Sequence, residues 1–121
     1  MDAIAAVDLF FSGKEKEWSL CDALRNALAK RWPDTQARLM KTCISFDDPK
    51  PYCYVSYPRR RCDEGAIVVS FLMRRVISSE RVDAVAKISV GRYTHHMLVR
   101  KIQDVDSRLI RWLNEGRNAA A

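Results

Sequence analysis

The sequence lacks the features that several common protein classes require. Its longest uncharged apolar run, 66–73, is interrupted by a serine, whereas a membrane-spanning helix needs about 20 apolar residues. The 4 glycines are dispersed, so no glycine-rich loop is present to bind phosphate. The motifs of serine hydrolases, P-loop enzymes, dinucleotide-binding proteins and zinc proteases are absent too. The sequence therefore argues against a membrane span and against these enzyme classes.

The cysteines lack the spacing of a metal site or of a disulfide framework. Cys21, Cys43, Cys53 and Cys62 contain no C-x-x-C pair, and structural zinc ligands normally occur in close pairs. We expect reduced thiols, no cofactor and no metal, with a Cys43–Cys53 disulfide left open as an alternative. The first eleven residues hold two aspartates and no basic residue, which is unlike a secretory signal. We therefore predict a cytoplasmic protein that does not associate with membranes.

What the chain does contain is an ordinary globular composition with an excess of basic residues. Its 121 residues are 48% hydrophobic and 30% charged, which predicts one domain over 1–121 with a core over roughly 10–116. Lys and Arg number 21 against 15 acidic residues, a formal net charge of +6. This charge permits attraction to nucleic acid or another polyanion without demonstrating it.

Hydrophobic periodicity predicts three helices. A short helix covers 3–11, and a long one covers 15–32, where apolar residues recur every three or four positions until Pro33 blocks continuation. The last helix covers 104–115 and is followed by Gly116, a typical residue at a helix end.

The region between the helices predicts strands. Residues 38–46 alternate and predict one strand of a hairpin with 52–57, since 47–51 is rich in Asp and Pro. Residues 66–73 predict a central strand, and 93–100 predict another. For 74–92, Ser79 favours a short helix through Val85, and 88–90 favour the start of a strand.

These elements predict an α+β fold: an antiparallel sheet of four or five strands with two N-terminal helices and a C-terminal helix packed on one face. The residues expected in the core are Leu24, Leu28, Ile44, Phe46, Val69, Phe71, Leu109 and Trp112. The opposite face of the sheet is expected to be free to meet a partner.

Three stretches resemble a known family: Phe10–Lys14 before the long helix, Lys41–Phe46, and Arg92–Met97 with its Tyr-Thr-His-His sequence. They are similar to the bacterial family catalogued as domain of unknown function 5655, over roughly residue 10 to the final helix. The family pattern often has Trp where this chain has Tyr93. The resemblance implies a small α+β domain and supplies no activity.

The His95–His96 pair is the most conspicuous candidate for chemistry. Neighbouring strand residues point to opposite faces, so the two imidazoles cannot readily share a metal. His95 shares a face with Met97 and Val99. It is a buried structural histidine if that face is the core, which we favour, and a general base or anion ligand if it is not. In the second case, Lys41, Arg92, Tyr93 and His95 form a small ligand pocket.

Arginines beside an aromatic strand form the second candidate site. Arg59, Arg60 and Arg61 follow a strand on which Tyr52, Tyr54 and Ser56 are predicted to share one face. Aromatic rings on a sheet can stack on bases while arginines bind phosphates. Solvated arginines at a strand end, with tyrosines packed on helices, are the alternative.

Three functions are compatible with these patterns. The first is a non-enzymatic binding module for an anionic partner, with nucleic acid as the first class to test. The second is an enzyme of unknown reaction that uses a Lys41/Tyr93/His95 pocket. The third is a protein-interaction domain or homodimer that uses an exposed sheet face or edge strand.

Overall fold

The computed structural model describes residues 2–120, which form three helices and six strands. Two short 3-10 turns, Arg61–Asp63 and Ile102–Asp104, lie between these elements. In chain order the elements are α1 (Ala3–Phe10), α2 (Glu15–Arg31), β1 (Gln36–Leu39), β2 (Ile44–Asp47), β3 (Pro51–Ser56), β4 (Ile67–Met73), β5 (Val82–Ser89), β6 (Arg92–Val99) and α3 (Ser107–Ala120).

The six strands form one antiparallel sheet in the order β1-β2-β3-β4-β6-β5. The predicted fold class is confirmed, and the sheet has six strands where the sequence predicted four or five. The single strand expected over 38–46 is two strands, because the chain reverses between Leu39 and Ile44, which pair with each other across the turn. An alternating pattern continued through this turn and concealed it.

The helix expected from Ser79 to Val85 is wrong, because this segment enters β5. The Ser79 hydroxyl does accept a hydrogen bond from the Arg81 N–H at 3.2 Å, as a helix-capping residue would. Arg81 then forms an ion pair with Asp106 at 2.9 Å, and the chain continues along β6 rather than turning. Tertiary pairing here outweighs the local capping signal.

One sheet face and the three helices enclose the hydrophobic core. Alternate residues of the strands, such as Val55, Val69 and Met97, join buried residues of all three helices in one cluster. Every residue predicted for the core is buried except Trp112, which is partly buried and stacks on Phe71. The helices therefore cover one face and leave the other, which we call the uncovered face. No helix within residues 2–120 is long and apolar enough to cross a membrane.

Candidate functional site

A polar row crosses the uncovered face from one sheet edge to the other. Strand register places one residue of each strand side by side along this row. In spatial order they are Arg38, Ser45, Tyr54, Ser70, His96 and Ala84. Five of the six side chains are polar or charged, on a face that is opposite the core. Ser45 and Ser70 are buried, so Arg38, Tyr54 and His96 are the polar residues of the row with exposed surface.

A groove of about 670 Å³ lies along the β5 end of this row. Its floor includes Ser70 and His96, its far wall is the β5 segment 83–86, and its near wall is the chain that follows β3, including Arg59 and Arg60. The volume falls within the range of small-ligand sites, about 300–1,000 Å³. The groove therefore has the size and the polar lining to hold a small ligand.

Ser70 and His96 form a hydrogen-bonded pair on the groove floor. Their side chains meet between β4 and β6, with 2.7 Å between Ser70 Oγ and His96 Nδ1. Burial lowers the pKa of His96, and the nearby positive charge of Arg59 lowers it further. His96 is therefore neutral at pH 7, and protonation on acidification would add positive charge to the groove.

The acidic groups around the groove are already occupied. Asp63 accepts hydrogen bonds from Arg100 at 2.7 Å and from Arg60 at 3.0 Å, and these two contacts hold the pKa of Asp63 below its usual value. Asp83 accepts a hydrogen bond from the backbone N–H of Leu98 at 2.7 Å. Both carboxylates thus have partners that compete with any incoming cation.

Arg59 differs from these residues. Within residues 2–120 it forms no ion pair with a carboxylate, although it is exposed and lines the groove. Two arginines, Arg59 and Arg60, therefore line the groove beside two aspartates, and of these two arginines Arg59 is the one without a carboxylate partner among residues 2–120. An anion bound in the groove would find its strongest attraction there.

Arg61 lies outside this groove. It lines a smaller hollow of about 310 Å³ on the other side of the 58–61 segment, together with Lys14, Glu17 and Glu64. The three consecutive arginines thus point to two regions: Arg59 and Arg60 border both hollows, whereas Arg61 borders only the smaller one.

The predicted sharing of one face by Tyr52 and Tyr54 is wrong. Phe46 pairs with Cys53, but the next pair is Asp47 with Pro51, so Tyr52 is the extra residue of a β-bulge. Its ring packs edge-on against Trp32 in the core, and its hydroxyl lies 2.7 Å from Thr35 Oγ1. Tyr54 alone lies in the polar row of the uncovered face.

The predicted Lys41/Arg92/Tyr93/His95 pocket does not form within the described residues. Lys41 lies in the turn between β1 and β2, where it lines a separate hollow of about 560 Å³ with Leu9 and Met40. Tyr93 pairs with Met73 near the far end of β4 and four strands away from β1. The two side chains are thus separated along both directions of the sheet, and this enzymatic hypothesis loses its site.

His95 is a core residue, as the favoured interpretation of its strand face predicted. It is fully buried and stacks on Phe71 with 5.6 Å between ring centroids. Its Nε2 accepts the backbone N–H of Ile77 at 2.9 Å, which places the imidazole proton on Nδ1, toward the Tyr93 carbonyl at 3.3 Å. Burial lowers the pKa of His95, so the neutral form holds the 74–81 segment against the sheet.

Acidification should therefore weaken the fold through His95. The unfolded chain takes up a proton near the ordinary pKa of 6.5, and the folded chain only at lower pH. The stability contribution is complete above pH 6.5 and falls as the pH drops below it. We expect a lower urea midpoint at about pH 5 than at about pH 7.5, a window above the aspartate titrations, whose ordinary pKa is 3.8.

His95→Gln isolates this effect, because a Gln amide oxygen can accept the Ile77 N–H without titrating. The variant should be less stable than the parent at pH 7.5 and should lose the part of the pH dependence that His95 contributes over this window. The pKa of His96 is lowered too, so His96→Gln measures the contribution from the other face and is subtracted from that of the parent. If His95→Gln kept the full pH dependence of the parent, the assignment to His95 would be wrong.

The cysteines are free thiols in the structure. Cys21 and Cys53 are buried, and burial raises the pKa of the Cys21 thiol to about 12 and that of Cys53 above its ordinary value. Neither is a thiolate at pH 7, so neither is an activated nucleophile. Among residues 2–120, His, Cys, Asp and Glu side chains form no group of three placed to hold a metal ion.

Ser70, Asp63 and Asp83 line the groove and were not among the site residues predicted from the sequence. Strand alternation alone places Ser70 on the face opposite Val69, and this was the one available signal for it. Asp83 is brought to the groove by the pairing of β5 with β6, and Asp63 by the turn Arg61–Asp63; neither has a local sequence signature.

The fold and the groove define a small α+β domain with three helices on one sheet face and, on the other, a polar groove bordered by two arginines. The chain belongs to the family Domain of unknown function (DUF5655), whose model matches residues 7–118. This confirms the resemblance carried by the Phe10–Lys14, Lys41–Phe46 and Arg92–Met97 stretches. No curated protein and no solved structure gave a significant match.

Proposed function

We propose that this protein is a non-enzymatic binding module for an anionic partner, which lies in the groove of the uncovered face. The observation that carries the proposal is the charge arrangement there: Arg59 has no carboxylate partner within residues 2–120, while Asp63 and Asp83 are both engaged. A guanidinium without a carboxylate partner favours phosphate or carboxylate as the ligand.

Nucleic acid is the partner class that we propose first. The groove lies on a sheet face and is flanked by strands, so a chain of linked phosphates can cross it without entering an enclosed cavity. Tyr54 and His96 supply partly exposed rings on the same face, and rings on a sheet stack on unpaired bases. Both features favour single-stranded over double-stranded nucleic acid. The reduced thiols are compatible with a partner in the cytoplasm.

Fluorescence anisotropy with labelled oligonucleotides at several salt concentrations tests this proposal. We expect a single-stranded oligonucleotide to bind more tightly than a duplex of the same length. Its affinity should fall as salt rises, with a logarithmic slope of about −0.7 for each phosphate contacted. Inorganic polyphosphate serves as the comparison ligand, because it offers the charge without the bases.

Each outcome of this experiment has a distinct meaning. Equal affinity for polyphosphate and oligonucleotide would retain an anion site and remove the assignment to nucleic acid. No binding of either ligand at low salt would contradict the proposed function itself.

A further inference from the structure

Glu17 is a buried carboxylate that has no partner in the fold. Only 7% of the residue is exposed, yet within residues 2–120 its side chain forms neither a hydrogen bond nor an ion pair. Asp63, the other buried carboxylate of the described residues, has two arginine partners. Buried charged groups are normally paired, so Glu17 marks a place where a bound group can supply the partner.

The smaller hollow gives access to this carboxylate. Glu17 lines it, between the start of α2 and the chain that joins β3 to β4. Every fully buried side-chain N or O atom of the described residues has a hydrogen-bond partner, so the unpartnered oxygens of Glu17 keep some contact with solvent. The volume of about 310 Å³ is at the lower end of the range for small-ligand sites, about 300–1,000 Å³. The hollow therefore fits a molecule of few atoms.

The ring of Tyr57 lies near the Glu17 carboxylate. Tyr57 also lines the hollow and is 37% exposed. Its pKa is raised mainly by burial and further by the negative charge of Glu17, and its hydroxyl donates a hydrogen bond to the carbonyl of Phe10 at 2.8 Å. A carboxylate and an aromatic ring together suit an ammonium group, because the first accepts its hydrogen bonds and the second attracts its charge.

Basic side chains line the same hollow. Lys14, Arg59 and Arg61 are exposed there, and none of them forms an ion pair within residues 2–120. Glu64 adds a second carboxylate. The hollow thus offers acceptors for an ammonium and donors for an acidic group. A ligand with only one sign of charge would leave the side chains of that same sign without partners.

We propose that the smaller hollow binds a small zwitterion, in which an ammonium group is joined to a carboxylate or a phosphate. The ammonium pairs with Glu17 beside the ring of Tyr57, and the acidic group pairs with Lys14 and Arg61. This site lies on the other side of the 58–61 segment from the groove and takes a ligand of different charge, so it goes beyond the proposed function.

Isothermal titration calorimetry of the full chain at pH 7 and low salt tests this site. The probes are γ-aminobutyrate, which carries a carboxylate, and phosphoethanolamine, which carries a phosphate, and their comparison shows which acidic group is preferred. At least one of them should bind at millimolar concentration. It should bind about tenfold or more tightly than propionate and ethylamine, because each of these carries only one of the two charged groups.

Glu17→Gln removes the buried charge and keeps nearly the same shape. It should weaken binding of the zwitterion by about tenfold or more, without weakening any binding of propionate. Glu15→Gln is the matched control, since Glu15 is exposed in the same turn of α2 and does not line the hollow. Its effect should be less than about twofold.

Circular dichroism checks that Glu17→Gln folds. If it does not, Lys14→Gln and Arg61→Gln test the acidic end of the ligand at exposed positions, and each should weaken binding by about threefold or more. Lys30→Gln is their control, because Lys30 is exposed at the other end of α2, and it should have less than about a twofold effect.

Amide chemical shifts in NMR spectra locate the site independently of mutation. The zwitterion should shift the amides of 14–17 and 57–65. Shifts confined to the surroundings of His96 would contradict the proposal, and so would the absence of binding by both zwitterions. Equal affinity for propionate or ethylamine would overturn it, as would equal effects of Glu17→Gln and Glu15→Gln. Glu17 does not line the groove, so Glu17→Gln should keep its affinity for oligonucleotides, and the two sites succeed or fail separately.

Discussion

Arg59→Gln should weaken binding of a single-stranded oligonucleotide by about tenfold or more, because a hydrogen bond between charged groups contributes roughly 1.5–3 kcal/mol. The side chain lines the groove and forms no ion pair within the described part of the chain. Its removal therefore takes away a charge that no internal carboxylate has neutralised. The salt dependence should fall by about one phosphate contact, a change of about 0.7 in the logarithmic slope.

Arg111→Gln is the matched control for this prediction. Arg111 is exposed on α3, which packs on the covered face of the sheet, and forms no ion pair within residues 2–120. The substitution removes the same charge far from the groove, so affinity should change by less than about twofold. Arg60 is a less suitable test residue, since its loss also frees Asp63. Equal losses for Arg59→Gln and Arg111→Gln would show that only net charge matters and would remove the groove as the site.

Much of the fold could be predicted from local patterns in the sequence. The apolar spacing and the proline stop predicted α2, and its core residues Leu24 and Leu28 are fully buried. Alternation also placed His95 on the same strand face as Met97 and Val99, and that face proved to be the core. These predictions succeed because helix and strand periodicity decide which side chains are buried. The periodicity depends only on residues within a few positions of one another along the chain.

The predictions that failed depended on pairing between distant segments. The bulge at Tyr52 turns one side chain from the predicted face into the core, and it exists only where β3 meets β2. The strand at 82–89 forms against β6 despite a local capping signal at Ser79. A candidate site that was predicted from the face assignment of such residues is wrong when that assignment is wrong, since a one-residue change of register reverses every face assignment.

The groove was predictable only in part, for the same reason. Arg59 and Arg60 stood out as a basic cluster in the sequence, and both line it. Ser70 lies within an apolar run of the sequence, so nothing local marked it as a site residue. Its role depends on His96, which lies 26 positions further along the chain and pairs with it across β4 and β6. To predict a site formed by neighbours on different strands, one must know the strand register before the residue types can be interpreted.

Gly116 has a structural role that differs from the one its position in the sequence predicted. After an apolar stripe it predicted the end of the last helix, but α3 continues through it to Ala120. The glycine instead marks the contact of α3 with β4, where a Cβ atom at this position would lie 2.7 Å from the carbonyl oxygen of Leu72. The helix approaches the strand so closely because this residue has no side chain.

Gly116→Ala should therefore destabilise the protein, although Ala in a helix is normally more favourable than Gly by about 1 kcal/mol. The new methyl group meets strand backbone, which cannot rotate away as a flexible side chain can, so α3 must shift from Phe71 and Leu72. Overpacking of this kind costs about 1–3 kcal/mol, and a lower urea midpoint measures it. Asn118→Ala is the control on the exposed side of the same helix, where the higher helix propensity of Ala should leave stability unchanged or slightly raised. A Gly116→Ala protein as stable as the parent, or more stable, would mean that α3 can move away at no cost and that the close approach does not fix its position.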